Sequence, residues 1–331
     1  MDERMTVAGA AVEPPGNWQW AACAASETGA EHERRGLGCD DAYSYGTTGD
    51  FIVAAVADGA GSVSGTSAWG AHVACQAVLE HAMLPDFIRD FHAASADEGA
   101  QVRWLFDRAL ERVRAQASQS GLNLALLSTT LAVGLADRRR AAFGQIGDGV
   151  VAVELGVGDE RRIATLLAET KREYANSTWF LQSDRAFEES FRTVVVDGVT
   201  AFALSTDGMA YKITNVATGE PYEPFFRGSW EHVRSGASAA HFAALLRGIQ
   251  DDQTGDDKTM VLAAMRWEED LFYPSARPLC RTLVSSPVPA STLAPTKFHA
   301  ATARPEAESG QIPVENSGRL RRLFGSRGRR P

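Results

Sequence analysis

Apolar residues recur along this chain with two different periods. Val102, Leu105, Phe106, Ala109, Leu110 and Val113 fall at i, i+3, i+4, i+7, i+8 and i+11. That spacing puts them on one stripe and predicts a helix over Glu98–Ser118. A second helix is expected over Thr66–Met83, with Thr66 or Ser67 as its N-cap, and a third over Ala237–Gln250. Elsewhere the apolar runs have strand length: Trp18–Ala25, Phe51–Ala57, Val150–Leu155, Arg162–Leu167 and Thr259–Met265. Thr129–Ala136 and Ala141–Ile146 flank Asp137-Arg-Arg-Arg140 and read as a hairpin, which the next two runs continue as a meander. Phe191–Val196 and Val199–Leu204 flank Asp197-Gly198, a strong short hairpin signal. Strands joined by short turns, with the helices segregated, indicate an α+β fold with antiparallel sheet.

This periodic texture occupies only part of the 331 residues. Residues 1–16 read as a flexible leader ending in Pro14-Pro15-Gly16. Residues 17–270 read as one folded domain. Residues 271–331 carry scattered prolines among Ser, Thr and Ala and read as a disordered linker ending in an arginine-rich tail. At 44% hydrophobic and 23% charged the composition is that of an ordinary globular protein. No apolar run reaches the ~18 residues of a membrane span, and the acidic start, Met1-Asp-Glu-Arg4, does not resemble a signal peptide. Four cysteines without a C-x-x-C spacing argue against a disulfide framework or a zinc site. A cytoplasmic location is expected.

Charge sharpens this picture. Ser317–Pro331 holds Arg319, Arg321, Arg322, Arg327, Arg329 and Arg330 and no acid; without those six positive charges the net −9 of the chain becomes −15. An acidic body disfavours nonspecific nucleic-acid binding by the core and is compatible with a cation site.

Certain aspartates stand out by position. Asp58 ends the run Phe51–Ala57, Asp207 follows Phe202–Ser205, Asp256 precedes the last strand, and Asp41 sits in Gly38-Cys-Asp-Asp41-Ala-Tyr43. Asp-Gly pairs are also common turn chemistry, and singly each of these reads equally as a turn, a cap or a solvated loop. Gathered at the strand ends of one sheet edge, such carboxylates repel one another unless cations neutralise them. Oxygen-only ligation by Asp suits magnesium or manganese.

Taken in order, Cys39-Asp-Asp41-Ala-Tyr43, Val56-Ala-Asp58-Gly59-Ala-Gly61, Ser128-Thr-Thr130, Ile146-Gly-Asp148, Ser205-Thr-Asp207-Gly208 and Asp256-Asp-Lys-Thr259 resemble the motifs of the metal-dependent (PPM) protein phosphatases of the protein phosphatase 2C type. The resemblance spans roughly Gly29 to Met265, and Gly29-Ala-Glu-His32 looks most like a divergent bacterial branch. It implies a four-layer α-β-β-α sandwich of two antiparallel sheets, and a serine/threonine protein phosphatase that works without a phosphoenzyme. It implies two Mn2+ or Mg2+ ions: Asp58 bridging both, the carbonyl of Gly59 on one, Asp207 and Asp256 on the other. Asp41 would accept hydrogen bonds from metal-bound water, and Asp148 matches a residue used for a third, weaker metal. The bridging hydroxide would attack phosphorus in line. A phosphorylated protein substrate and an opposing Ser/Thr kinase are the implied partners.

The match has departures. The family often carries a phosphate-gripping Arg five residues before the position of Asp41, where this chain has Gly36; His32, Arg34 or Arg35 are candidates to replace it. Ala60 stands where some members have a general-acid His. Asp257 replaces the usual Asn, Lys258 an apolar residue, and Tyr211 an Asp linked to the third metal. A non-catalytic phosphatase-like binding module is the alternative reading. A remoter one is a nucleotide-binding protein using the glycine-rich Gly59–Gly65 loop. For the tail, Arg319-Leu-Arg-Arg-Leu-Phe324 reads as an anchor for anionic membrane, a partner contact or a solvated terminus.

Overall fold

The computed structural model describes residues 18–60, 65–93, 97–156, 161–167, 178–236, 238–249, 254–267 and 281–289. All of them lie in the first of two compact units, Met1–Thr296 and Lys297–Pro331. The expected leader, Gly61 of the second motif, Cys280 and the arginine tail fall outside the described residues.

The strands are β1 (Trp18–Glu27), β2 (Ala42–Thr48), β3 (Phe51–Ala57), β4 (Leu131–Ala136), β5 (Arg140–Ile146), β6 (Val150–Leu155), β7 (Arg162–Leu166), β8 (Arg192–Asp197), β9 (Val199–Ser205), β10 (Lys258–Trp267) and β11 (Arg281–Ser285). The helices are α1 (Ala30–Arg34), α2 (Ser67–Ala82), α3 (Pro85–His92), α4 (Glu98–Ser120), α5 (Ala186–Glu189), α6 (Ala210–Ile213), α7 (Glu223–Arg234) and α8 (Ala239–Gly248). One sheet runs β1-β10-β9-β6-β7 and the other β11-β2-β3-β4-β5-β8, with antiparallel neighbours throughout.

The unbroken apolar run of β3 has a simple cause: the strand is covered on both faces. Phe51, Val53, Ala55 and Ala57 pack with α2 and α4, whereas Ile52, Ala54 and Val56 pack between the sheets. This is the period of two that a pleated strand imposes. In β10, Val261 and Ala263 face the other sheet, while Met260, Leu262 and Ala264 join Phe226, Trp230 and Phe242 from α7 and α8. The result is the α-β-β-α sandwich that the sequence resemblance implies.

The predicted stripe of α4 is buried at every position. Asp97 caps the helix by accepting from the amides of Gly99 and Ala100. The sequence pattern gave no helix for α3 or α7. Both open with a proline in the first turn, Pro85 and Pro224, where the missing N–H has no intrahelical partner to lose.

Several strand readings are corrected. Asp197-Gly198 does not close a hairpin. Arg192–Asp197 pairs with β5 and Val199–Ser205 with β6 and β10, so the chain changes sheets between them. Val194 and Val196 then meet Val199, Phe202 and Leu204 across the inter-sheet core; two apolar strands can bury each other face to face as well as edge to edge. Val150–Leu155 and Arg162–Leu166 do pair with one another, but in the sheet opposite β5, so the meander breaks at Asp148. Arg281–Ser285, expected in a disordered linker, is the edge strand β11, paired with β2 from Arg281↔Thr48 to Ser285↔Ser44. Its edge position and proline-bounded neighbourhood hid a short alternating pattern. The dinucleotide reading also fails, because β3 pairs antiparallel with β2 and β4 and no parallel βα unit forms there; residues 61–64 of its loop are outside the described set.

Candidate metal centre

Strand register brings the aspartates to one end of the sandwich. Ala42 pairs with Ala57, so Asp41 and Asp58 lie at the next step of the same ladder. Met260 and Val150 both pair with Ser205. Asp256, Asp148 and Asp207 therefore emerge together from the same end of the other sheet.

Asp58 is held by its backbone. Its N–H donates to Thr130 Oγ1 at 3.0 Å, and its carbonyl accepts from Thr130 N at 2.8 Å and Thr129 Oγ1 at 3.0 Å. Asp207 opens a 3-10 turn, Asp207–Met209, immediately after β9. Asp256 accepts the amide of Asp257 at 2.9 Å. The Thr206 hydroxyl donates to Asp41 Oδ2 at 2.7 Å. Asp148 Oδ2 accepts from Thr178 Oγ1 at 2.9 Å. The amide of Gly59 donates to Asp40 O at 3.2 Å.

These carboxylates disturb one another. Burial first, then the charges of Asp41, Asp207, Asp256 and Asp148, push Asp58 well above the ordinary carboxylate range. Burial also raises Asp41, reinforced by Asp257 and Asp256 and opposed by hydrogen bonds from Thr206 and Thr259. Asp207 is pushed up to about 7, by burial and then by Asp148 and Asp256. Asp256 is raised by burial first, with Asp257 and Asp148 adding to the shift and His32 opposing it. Desolvation and like charge act in the same direction at every one of these groups.

Among the described residues, no three acidic, histidine or cysteine side chains stand gathered around one point as a ready-made ion cage. The donor set nevertheless fits a hard divalent cation. It is all oxygen, and its strongest charged neighbours at Asp58 are all carboxylates. A bound cation would relieve their repulsion.

The phosphate candidates are placed differently from one another. His32 is buried, and its Nδ1 donates to Asp257 Oδ2 at 2.9 Å. Arg34 is exposed and paired with Glu31 one helical turn away. Arg35 is exposed; burial raises Asp40 above the ordinary carboxylate range, and the hydrogen bond from Ser67, the charge of His32 and, least, that of Arg35 oppose the shift. Gly36 has φ +67° with open space around it; the turn that ends α1 holds it in the left-handed region, where an arginine would be strained. Ala60 is exposed, and its amide donates to Ser128 O at 3.0 Å.

Asp257 and Lys258, visible in the sequence only as departures from the family motif, have structural roles at the site. Asp257 is 2% exposed. Its two oxygens accept from Gly29 N at 2.7 Å, His32 Nδ1 at 2.9 Å and Asp40 N at 2.6 Å. Asp40 in turn accepts from Ser67 Oγ at 2.7 Å, which fixes the start of α2. Lys258 sends its ammonium to the carbonyls of Leu246 at 3.1 Å and Ile249 at 2.7 Å. It closes the C-terminus of α8, and that is why a lysine occupies a position read as apolar. Thr206 had one signal in the sequence, its place inside Ser205-Thr-Asp207. Cys23, Cys39 and Cys75 are free thiols. No described helix is long and apolar enough to cross a membrane.

The family model described as Protein phosphatase 2C matches residues 28–247. Solved structures similar to this chain include the catalytic domain of the serine threonine protein phosphatase PstP in complex with 2 manganese ions. It is 18% identical, with 75% of this chain and 99% of that chain covered and a TM-score of 0.47. The serine/threonine phosphatase PstP/Ppp of Mycobacterium tuberculosis is 16% identical over 74% and 98%, with a TM-score of 0.44. The serine-threonine phosphatase 2C of Toxoplasma gondii is 12% identical over 75% and 95%, with a TM-score of 0.48. No curated protein sequence matches the chain.

Proposed function

The chain belongs to the protein phosphatase 2C family, and from that premise we propose that it is a metal-dependent serine/threonine protein phosphatase. The observation that carries the reading is the convergence of Asp58, Asp207, Asp256, Asp148 and Asp41 at one end of the sandwich, with burial first and then the charge of neighbouring carboxylates raising the first three and Asp41 above their ordinary range. In this reading Asp58, Asp207, Asp256 and the carbonyl of Gly59 hold two manganese or magnesium ions, and Asp148 is available to a third. The ions, when bound, supply positive charge against the phosphoryl oxygens and lower the pKa of the water that attacks phosphorus.

The chain's own residues do the rest. Thr129 and Thr130 hold Asp58 through its backbone. Asp41, anchored by Thr206, orients the attacking water. Among His32, Arg34 and Arg35, His32 is bonded to Asp257 and Arg34 to Glu31, which leaves the exposed Arg35, whose charge acts weakly at Asp40, as the candidate to grip substrate phosphate. The substrate is a phosphoserine or phosphothreonine protein, its phosphate placed there by an opposing kinase.

One observation favours the alternative, a non-catalytic binding module: the position where the family often carries a phosphate-gripping arginine is Gly36, held at φ +67°. The deciding experiment is phosphate release from a phosphothreonine peptide by the full chain, titrated with manganese beside Asp58→Asn. Manganese-dependent release that the substitution abolishes supports the phosphatase. A folded chain that releases no phosphate at any manganese concentration supports the binding module.

A further inference from the structure

Gln145, next to last in β5, is 1% exposed. Its Nε2 donates to Gly147 O at 3.2 Å and to Gly149 O at 2.7 Å. These are the carbonyls on either side of Asp148. Arg192 adds a bond to Gly147 O at 2.7 Å, and Ser190 Oγ accepts from Gly147 N at 3.4 Å. Both donors of the Gln145 amide are thus directed to the Asp148 loop. Its Oε1 is buried without a hydrogen-bond partner, an arrangement that costs about 1–3 kcal/mol. A methionine of similar length would fill the same space without that cost. What the amide adds is the two-point clamp.

The clamped carboxylate matters beyond its own loop. The charge of Asp148 is felt at Asp58, Asp207 and Asp256, and its Oδ2 is bonded to Thr178. We propose that Gln145 is a positioning residue: by holding both carbonyls that flank Asp148, it fixes where that carboxylate stands relative to Asp58 and Asp207, and so sets the chain's affinity for divalent cations. The inference rests on the metal-dependent reading above. Gln145 touches no cation itself; it acts through Asp148. If it were only a tie between β5 and β6, its loss would lower stability and leave cation affinity alone.

The test is a double-mutant cycle on the full chain, read by calorimetric titration with Mn2+ rather than by turnover. Residues that support metal ligands typically contribute about 10–100-fold in affinity. Gln145→Met should therefore weaken Mn2+ binding about ten-fold, as should Asp148→Asn. The double variant should bind no more weakly than Asp148→Asn alone, because the two residues act as a unit. Unchanged affinity in either single variant, or additive losses in the double, would overturn the proposal. If Gln145→Met does not fold, Gln145→Asn takes its place in the cycle with the same expectation, since its shorter amide cannot reach both carbonyls. A native chain that binds Mn2+ but releases no phosphate sinks the phosphatase reading and leaves this one standing. A native chain that takes up no Mn2+ overturns both.

Discussion

His32 Nδ1 donates to Asp257 Oδ2 across 2.9 Å, with both side chains buried. The pair joins α1 to the segment that carries Asp256, and the same carboxylate accepts the amides of Gly29 and Asp40. A carboxylate has the acceptor capacity for these bonds on two oxygens; an amide has one oxygen and turns two donors toward the rest. Asp257→Asn should therefore destabilise the protein by about 1.5–3 kcal/mol, the contribution of hydrogen bonds to a charged group. Urea unfolding measures this directly. A loss below ~0.5 kcal/mol, the size of an ordinary surface change, would mean that the charge at this position is dispensable.

Metal-free protein should show a particular pH dependence. An unfolded Asp titrates near 4, whereas Asp207 is held at about 7 in the fold, and Asp58 and Asp41 are shifted the same way. The folded state therefore keeps protons that the unfolded state has released. Their stabilising effect is complete below about pH 4 and is lost as pH rises through about 7. In EDTA, Tm should fall between pH 5.5 and pH 8, and added Mn2+ should raise Tm more at pH 8 than at pH 5.5. A metal-free Tm that rises across this interval would show that the carboxylates are already compensated.

Much of this centre could be read from the sequence, because the relevant positions follow strand periodicity. Phe51–Ala57 has identical bounds in the pattern and in the fold, since two-sided burial leaves a continuous apolar run. Asp58 and Asp207 are visible as polar residues where such runs stop, and Asp256 as one just before a run begins. What remained hidden depends on long-range pairing. Nothing local distinguishes Asp197-Gly198 at a sheet crossing from the same dipeptide in a hairpin. Nothing near His32 in the chain announces Asp257, 225 residues away. Gln145 reads as one polar residue in an apolar strand until its amide is seen on both sides of Asp148.

The edge strand β11 carries a prediction of its own. Leu283 reaches over Gly46 beside Leu79 of α2 and Met83, the residue that follows the helix. Ser286 N donates to Tyr43 O at 2.8 Å, and Tyr43 N donates to Ser286 Oγ at 3.2 Å. This second strand braces β2, which starts one residue after Asp41. A chain ending at residue 270 should melt below one ending at residue 289, by about 2–4 °C for each kcal/mol lost in a domain of this size. Equal melting temperatures would mean that β11 contributes nothing to the stability of the sheet.

Two glycine substitutions should act in opposite directions. A Cβ on Gly208 would stand 2.0 Å from Asp257 O and 3.4 Å from Asp256 Cβ. The obstacle is backbone, so relief requires Asp207 and Asp256 to separate. Gly208→Ala should cost at least the upper part of the ~1–3 kcal/mol range for overpacking, and it should weaken Mn2+ binding as well. Gly228 is exposed within α7, and nothing lies within 4 Å of the position its Cβ would take. Gly228→Ala should stabilise by about 0.5–1 kcal/mol through helix propensity and leave Mn2+ binding unchanged. Urea unfolding and Mn2+ titration of the two variants separate a local backbone effect from one at the carboxylate cluster. Equal Mn2+ affinity in both would show that the close approach at Gly208 has no part in placing Asp207 and Asp256.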